Sequence, residues 1–241
     1  MGENYQIDIS VVVPVYNEEE NLPVLIPQLH DVLRGLGKTY EMIFIDDGST
    51  DRSRRLLKEM VPPYPEIRVL GFKRNCGETV AGVAGLKEAR GEIVITIDAD
   101  LQNDPKDIPR MLEYLKDYDM VTGWRQKRED SWVKRITSKI ANRIRNSLSG
   151  EEIRDSGCTF RAYKRECLQN LKLYKGMHRF MPTLVKMEGF RVIEIPIAHH
   201  PRKFGVSKYT TWNRMWRAFI DLLAVKWMRS RHIHYDIEER I

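Results

Sequence analysis

Glu92-Ile-Val-Ile-Thr-Ile-Asp-Ala-Asp-Leu-Gln102 is the stretch that decides the fold and the chemistry of this chain. Residues 92–97 form a short β-branched run that predicts a buried strand, and an acidic turn follows directly. Residues two apart on a strand point to the same side, so Asp98 and Asp100 should face one site, with Gln102 adding a third oxygen. Oxygen ligands of this kind suit Mg²⁺ or Mn²⁺, which usually also hold substrate phosphates.

This stretch is one unit of an alternation of strands and helices. The alternation predicts an α/β fold in which a mostly parallel sheet is covered by helices on both faces. In such sheets ligands bind beyond the carboxyl ends of the strands, where a second acidic turn, Asp46-Asp47, also lies. Asn21 and either Ser49 or Thr50 are predicted to cap the first two helices. Strands are predicted over residues 9–15, 40–45, 67–72, 92–97, 119–122, 159–163 and 190–195, and helices over 21–33, about 50–60, 79–89, 105–115, 132–148 and 179–187.

Composition excludes several classes of protein. The 241 residues are 42% hydrophobic and 31% charged, which fits one large domain with a core, or one domain with an appendage. The three cysteines form no CxxC pair, which argues against a disulfide scaffold or zinc ribbon and favours a reducing compartment. The chain has no P-loop and no GxGxxG after a strand, which disfavours a P-loop NTPase and a Rossmann dehydrogenase. No apolar run approaches the roughly 20 residues that span a bilayer.

Positive charge is concentrated in two segments. Residues 121–145 carry a net charge of +6 and residues 202–232 one of +7, within a total of +6 for the chain. This distribution favours an anionic partner, which can be nucleic acid, anionic lipid or a phosphorylated substrate. Two solvated helices would produce the same pattern. Nucleic acid is the weakest of these partners, because the acidic strand ends would repel its phosphates unless a cation intervened.

Five motifs occur in a fixed order along the chain. They are Val12-Val-Pro-Val-Tyr-Asn-Glu-Glu19, Ile45-Asp-Asp-Gly-Ser-Thr50, Asp98-Ala-Asp-Leu-Gln102, Asp155-Ser-Gly-Cys-Thr-Phe-Arg-Ala-Tyr163 and His200-Pro-Arg-Lys-Phe-Gly-Val-Ser-Lys-Tyr209. The first three resemble the motifs of family 2 glycosyltransferases of the GT-A fold. The last two resemble the polyprenol-phosphate (dolichol-phosphate) sugar synthase branch of that family, and the similarity extends over about residues 9–227.

The resemblance implies a role for each matching residue. Asp98, Asp100 and Gln102 would hold the metal ion on the donor diphosphate. Arg125, Arg135 and Ser138 would bind the acceptor phosphate, and the segment with Arg202, Ser207 and Lys208 would close over the diphosphate. The catalytic group would comprise Asp100, Asp155 and Arg202. The nucleotide-sugar pocket would consist of Pro14, Tyr16, Glu18, Asp46, Asp47, Asp98, Ala99, Asp100, Arg202 and Lys208.

The implied activity is the metal-dependent, inverting transfer of a sugar from GDP-mannose or UDP-glucose to a polyprenyl or dolichyl phosphate. A phosphate acceptor is largely a dianion at pH 7, because its second pKa is about 6, so it needs little general-base help. The alternative within the family is a glycan or other hydroxyl acceptor, for which Asp155 is the candidate base. Asp155 would otherwise orient an arginine or the metal. A binding module without catalysis is the alternative from another class.

The C-terminal segment, residues 211–241, is expected to be an amphipathic helix and tail attached to a catalytic domain over residues 1–210. An apolar stripe at helical spacing consists of Trp212, Met215, Trp216, Phe219, Leu223 and Trp227. Basic residues flank it, as in helices that lie in a membrane interface. Packing on the domain or on a second copy would explain the stripe equally well. The expected location is peripheral, at the cytoplasmic face of a membrane, with or without a membrane subunit as partner.

Overall fold

In the computed structural model, seven strands form one sheet in the order β3-β2-β1-β4-β6-β5-β7. The structure describes residues 7–125, 153–171, 174–202 and 211–233, without the side chains of residues 211–218. The helix predicted over 132–148 therefore lies outside the described residues. The strands are β1 (Ile9–Val15), β2 (Tyr40–Asp46), β3 (Ile67–Gly71), β4 (Ile93–Thr96), β5 (Met120–Arg125), β6 (Arg161–Lys164) and β7 (Val192–Ile197).

The sheet is mostly parallel, as the alternation of strands and helices predicts. β1 pairs in parallel with β2 and β4, β2 with β3, and β5 with β7. Among these seven strands of the described residues, only β6 runs antiparallel to its neighbours, β4 and β5. The carboxyl ends of β1, β2 and β4 therefore meet at one edge of the sheet, where they place the loops that follow them.

Helices cover both faces of the sheet, which confirms the predicted α/β architecture. Alternate residues of β1 divide between the faces: Val11 and Val13 join the core beneath α1, whereas Val12 packs with Ala81 of α3. The described helices are α1 (Leu22–Gly35), α2 (Ser53–Met60), α3 (Glu78–Glu88), α4 (Ile108–Tyr114), α5 (Glu166–Gln169), α6 (Met181–Met187) and α7 (Thr211–Ser230).

Asn21 stands at the N-cap position of α1, as predicted, but the predicted cap of α2 was wrong. The Asn21 side chain makes no capping hydrogen bond, and its amide donates to Glu18 Oε2 at 2.5 Å. The second helix begins at Ser53, beyond both predicted caps. Ser49 Oγ instead accepts from the Asn17 N–H (3.0 Å), and the Thr50 N–H donates to Asn17 Oδ1 (2.8 Å). These polar side chains join the loops after β1 and β2, a long-range pairing that local capping rules do not consider.

The alternation argument for Asp98 and Asp100 was also wrong. β4 ends at Thr96, so both residues lie in the turn beyond the strand, where Leu101 has a φ of +59°. Ala99 and Leu101 are buried in the core and anchor this turn. The two carboxylates reach one cleft because the turn is anchored, not because of strand periodicity.

The C-terminal helix α7 has two apolar faces. Leu222 and Val225 are buried in a core that α7 shares with α6 and β5. Phe219, Leu223 and Trp227, from the predicted stripe, are instead 43%, 46% and 64% exposed. No helix within the described residues is long and apolar enough to cross a membrane. The domain boundary at residues 210 and 211 stays a prediction.

Two glycines of α3 provide a matched test of this packing. A Cβ on Gly85 would lie 2.3 Å from Val12 Cγ1 and 2.6 Å from Ile45 Cδ1, whereas one on Gly82 meets nothing within 4 Å. Gly85→Ala should therefore lower the free energy of unfolding by about 1–3 kcal/mol through overpacking. Gly82→Ala should leave it unchanged or raise it by up to about 1 kcal/mol. Urea unfolding of both variants checks this, and equal stabilities would contradict the close packing of α3 on β1 and β2.

Candidate active site

A cleft of about 420 Å³ opens at the carboxyl ends of β1, β2 and β4. Its volume lies in the range of small-molecule sites. The first residues of α3 form one wall, and the turn after β4 forms another. The cleft brings together most of the residues that the resemblance assigned to the nucleotide sugar, and it adds others from the loop after β3. Its lining consists of Pro14, Val15, Tyr16, Glu18, Asp47, Asn75, Gly77, Glu78, Ala81, Asp98, Ala99, Asp100 and Arg202.

The structure gives Asp46 and Asp47 different surroundings. Asp46 is fully buried away from the cleft, where it accepts from Arg54 Nε and, at 2.9 Å, from the Ser49 N–H. Asp47 lines the cleft and accepts from the N–H groups of Cys76 (2.6 Å) and Gly77 (2.8 Å). Asp46 therefore stabilises the loop, and Asp47 connects the ends of β2 and α3 at the cleft.

Gly48 permits this close approach of the two loops. Its φ of +69° is one that L side chains rarely adopt. A Cβ there would lie 2.5 Å from the carbonyl carbon of Arg74 and 2.6 Å from the Asn75 nitrogen. Glycine is required because the backbone after β3 passes directly over that after β2.

Carboxylates crowd around Asp98 at the floor of the cleft. Its carboxyl group accepts from the Thr159 hydroxyl and lies close to Glu78 and Asp100. Burial, followed by the charges of Glu78 and Asp100, raises the pKa of Asp98 to about 7. Arg125 opposes this shift, which places its positive charge within electrostatic reach of Asp98. A divalent cation at this point would stabilise the ionised form that the surroundings disfavour.

Asp100 is paired with Arg202, 102 positions later in the chain. Arg202 Nη2 donates to Asp100 Oδ2 at 2.7 Å. The backbone before Arg202 is held on the same turn, because the His200 N–H donates to the Gln102 carbonyl at 2.8 Å. The Gln102 side chain lies outside the cleft lining, with Nε2 donating to the His200 carbonyl at 3.5 Å.

Arg125 and Asp155 form a two-pronged ion pair. Arg125 Nε and Nη2 donate to the two oxygens of Asp155 at 2.6 and 2.8 Å, and the side chains are only 15% and 11% exposed. The Asp155 N–H donates to Glu194 Oε1 at 2.8 Å, which ties the pair to β7. Both carboxylate oxygens of Asp155 are thus engaged with a fixed guanidinium, an arrangement suited to orienting Arg125.

The sequence motifs did not single out Asn75, Gly77, Glu78 or Ala81, which the structure adds to the cleft. A signal existed, because the carboxyl end of β3 lies at the same sheet edge as those of β1 and β2. Thr159 lies within the fourth motif, but nothing in the sequence points to its bond with Asp98. Arg135, Ser138, Ser207 and Lys208 lie outside the described residues.

Comparison with known proteins identifies the family. The model of "Glycosyl transferase family 2" matches residues 10–172. The chain belongs to this family. Two curated relatives are the undecaprenyl-phosphate 4-deoxy-4-formamido-L-arabinose transferases of Pectobacterium carotovorum and Pectobacterium atrosepticum, each 42% identical over 205 residues. Each match covers 84% of this chain, and the chain spans 63% of the relatives' length.

Solved structures confirm the GT-A fold for this family 2 chain. Glucosyl-3-phosphoglycerate synthase of Mycobacterium tuberculosis, in complex with Mg²⁺ and uridine diphosphate, aligns with a TM-score of 0.68. It is 19% identical, over 95% of this chain and 81% of that protein. The mannosyltransferase PcManGT of Pyrobaculum calidifontis, in complex with GDP-Man and Mn²⁺, aligns with a TM-score of 0.60. It is 20% identical, over 96% and 66% of the respective chains.

Replacing Asp98 should change how stability depends on pH. Its pKa is raised from 3.8 to about 7, so its contribution to stability is full below about pH 4 and is lost as the pH rises to about 7. Without metal, the wild type should therefore lose more thermal stability than Asp98→Asn between about pH 5 and about pH 8. Mn²⁺ should raise the melting temperature of the wild type at the higher pH, but not that of the variant. Asp117→Asn, at an exposed position, is the control. Identical pH profiles of the wild type and Asp98→Asn would contradict the raised pKa of Asp98.

Proposed function

We propose that this family 2 glycosyltransferase transfers a sugar from a nucleoside diphosphate to a polyprenyl phosphate. The observation that supports this most directly is the placement of Asp98. Its carboxylate stands beside Asp100 in the cleft and within electrostatic reach of Arg125. A donor site built on carboxylates therefore adjoins a fixed guanidinium that would receive an anionic acceptor.

The donor would bind along the cleft from β2 towards β4. Pro14, Tyr16, Glu18 and Asp47 lie at the end where a base and ribose would be held, because carboxylates accept from base N–H groups and ribose hydroxyls. The sequence assigned Asp46 to the same pocket, but Asp46 would act indirectly, by holding the loop after β2 in place. We propose to compare three donors. They are GDP-mannose, UDP-glucose and the nucleotide-linked formamido sugar that the names of the Pectobacterium relatives suggest.

Two carboxylates at the floor of the cleft, those of Asp98 and Asp100, are ligands that suit a divalent metal ion. They would hold Mg²⁺ or Mn²⁺. Gln102, which the sequence assigned to the same set, lies outside the cleft lining and would join them only by turning its side chain away from His200. When bound, the ion would neutralise negative charge on the leaving diphosphate. Arg202, through its bond to Asp100, stands where it would add preorganised positive charge, and Lys208 would join it when the segment after Arg202 closes.

The acceptor would be a phosphate rather than a hydroxyl. Asp155, the candidate base for a hydroxyl acceptor, has both oxygens engaged by Arg125. Asp155 thus supports the reaction by orienting Arg125, and a phosphate dianion needs no base. Arg135 and Ser138 would complete the acceptor site. Direct attack of the phosphate oxygen on the anomeric carbon breaks its bond to the diphosphate and inverts its configuration.

The exposed face of α7 supports a peripheral position on a membrane. Phe219, Leu223 and Trp227 are exposed on one side of a helix whose other side packs on the domain. The exposed residues Lys226 and Arg229 lie on the same helix and would favour anionic lipid. We place the protein at the cytoplasmic face, where nucleotide sugars are available, either alone or with a membrane subunit.

The function is tested by transfer of radiolabel. The protein is incubated with Mn²⁺ or Mg²⁺, undecaprenyl phosphate and each labelled donor, and the label extracted into organic solvent is counted. We expect one donor to label the lipid, and EDTA to abolish the label. Asp100→Ala should lower transfer at least about a hundredfold, because metal and diphosphate stabilisation are lost together. Asp117→Asn should retain activity. Label that appears only in a glycan fraction would overturn the lipid acceptor.

Arg125→Lys tests the acceptor assignment separately. Lysine keeps the charge but cannot make the two-pronged contact with Asp155. The KM for polyprenyl phosphate should rise about tenfold or more, while the Kd for the donor nucleotide stays unchanged. Exposed Arg110→Lys on α4 is the matched control, and thermal melting confirms that the variant is folded. A parallel loss of donor affinity would show that Arg125 belongs to the donor site.

A further inference from the structure

A series of contacts connects α7 with the first turn of α3, which borders the cleft. A Cβ on Gly176 would lie 2.3 Å from Asp221 Oδ2, so the Asp221 side chain packs directly on the Gly176 backbone. Gly176 has a φ of +97° and donates its N–H to Thr79 Oγ1 at 3.3 Å. The same hydroxyl is hydrogen-bonded to His178 Nδ1 at 2.7 Å. The segment from Gly176 to His178 therefore touches α7 on one side and α3 on the other.

The first turn of α3 is held from two directions. Thr79 follows Glu78 and Gly77, both in the cleft lining, and the Gly77 N–H donates to Asp47. Asp47 therefore holds the turn from the cleft side, whereas the segment from Gly176 to His178 holds it from the α7 side. A movement of this segment would be transmitted to the wall that faces the donor.

A small pocket of about 50 Å³ adjoins the segment from Gly176 to His178 and is lined by Thr79, Met177 and His178. Glu78 and Asp98 line both this pocket and the cleft. Side chains beside such a space have fewer packing contacts on that side.

The contact with α7 is held by packing more than by polar bonds. Arg179 Nη1 lies 4.0 Å from Asp221 Oδ2, beyond hydrogen-bond distance, and the Asp221 carboxylate has no hydrogen bond among the residues that the structure describes. The nearby Tyr174 hydroxyl is buried and has no hydrogen-bond partner among those residues either. A small shift of α7 would therefore break few polar bonds at this contact.

We propose that Asp221 and Thr79 are positioning residues that link α7 to the donor cleft, so that seating α7 on a lipid surface tightens binding of the donor nucleotide. This inference rests on the proposed function. Lipid beneath Phe219, Leu223 and Trp227 would restrict the motion of α7, and through Gly176 and Thr79 that of the α3 turn. Binding of the donor nucleotide would then cost less conformational entropy, because the α3 turn is already ordered, and its affinity would rise. By linkage, bound nucleotide would strengthen attachment of α7 to lipid by the same factor.

The test measures nucleotide affinity with and without vesicles. Titration calorimetry with Mn²⁺ and UDP, and in parallel with Mn²⁺ and GDP, is performed in buffer and with phosphatidylcholine–phosphatidylglycerol vesicles free of polyprenyl phosphate. For the nucleotide that binds, vesicles should lower the Kd of the wild type by about fivefold or more. Thr79→Val, which removes only the hydroxyl, and Asp221→Ala should abolish this change. Thr79→Ser should restore it.

Matched controls separate the link from loss of fold or of lipid binding. Thr39→Val and Ala224→Ser, at exposed positions away from the contacts, should behave as the wild type. Vesicle flotation should show that Asp221→Ala still binds lipid, and thermal melting that every variant is folded. The link alone would be overturned by either of two results. Vesicles leave the nucleotide Kd of the wild type unchanged, or they still lower it in both Thr79→Val and Asp221→Ala. Absence of nucleotide binding under all conditions would overturn the proposed function as well.

Discussion

The crowding of carboxylates around Asp98 is the constraint on which the rest of the site depends. Parallel strands end at one edge of the sheet, and the segments after β3 and β4 bring Glu78 and Asp100 close to Asp98, whose negative charge is disfavoured by burial. Fixed positive charge offsets part of this cost: Arg202 pairs with Asp100, and Arg125 acts on Asp98. The remaining negative charge suits a cation with a diphosphate, which would explain why the proposed donor site is lined with acids.

Much of the surrounding structure keeps these acids in place. The buried Asp46 and its bonds to Arg54 and Ser49 shape the loop from which Asp47 reaches the cleft. Arg125 is held by Asp155, which is held in turn by Glu194 of β7. Asp47, Asp98 and Asp100 likewise have hydrogen-bond partners in the fold, so these side chains need little reorientation when ligands bind.

The C-terminal helix extends the same organisation towards a lipid surface. One face of α7 completes the core with Leu222 and Val225, and the opposite face remains apolar and exposed. Asp221 sits between the two and packs on the turn that contacts α3. A single helix therefore borders both the surface where a lipid acceptor would arrive and the elements that shape the donor cleft.

By itself the sequence determined the α/β class, the mostly parallel sheet, the family and most residues of the cleft. Buried β-branched strands and the short motifs that follow them are local patterns, so they can be recognised from the sequence alone. Only the tertiary structure decided what depends on partners distant in the chain. It engaged Ser49 with Asn17 instead of with a helix end, separated Asp46 from Asp47, and occupied both oxygens of Asp155 with Arg125. It also added Glu78 to the cleft and divided the apolar residues of α7 between two faces, because burial and hydrogen bonding across the fold are set by packing rather than by spacing.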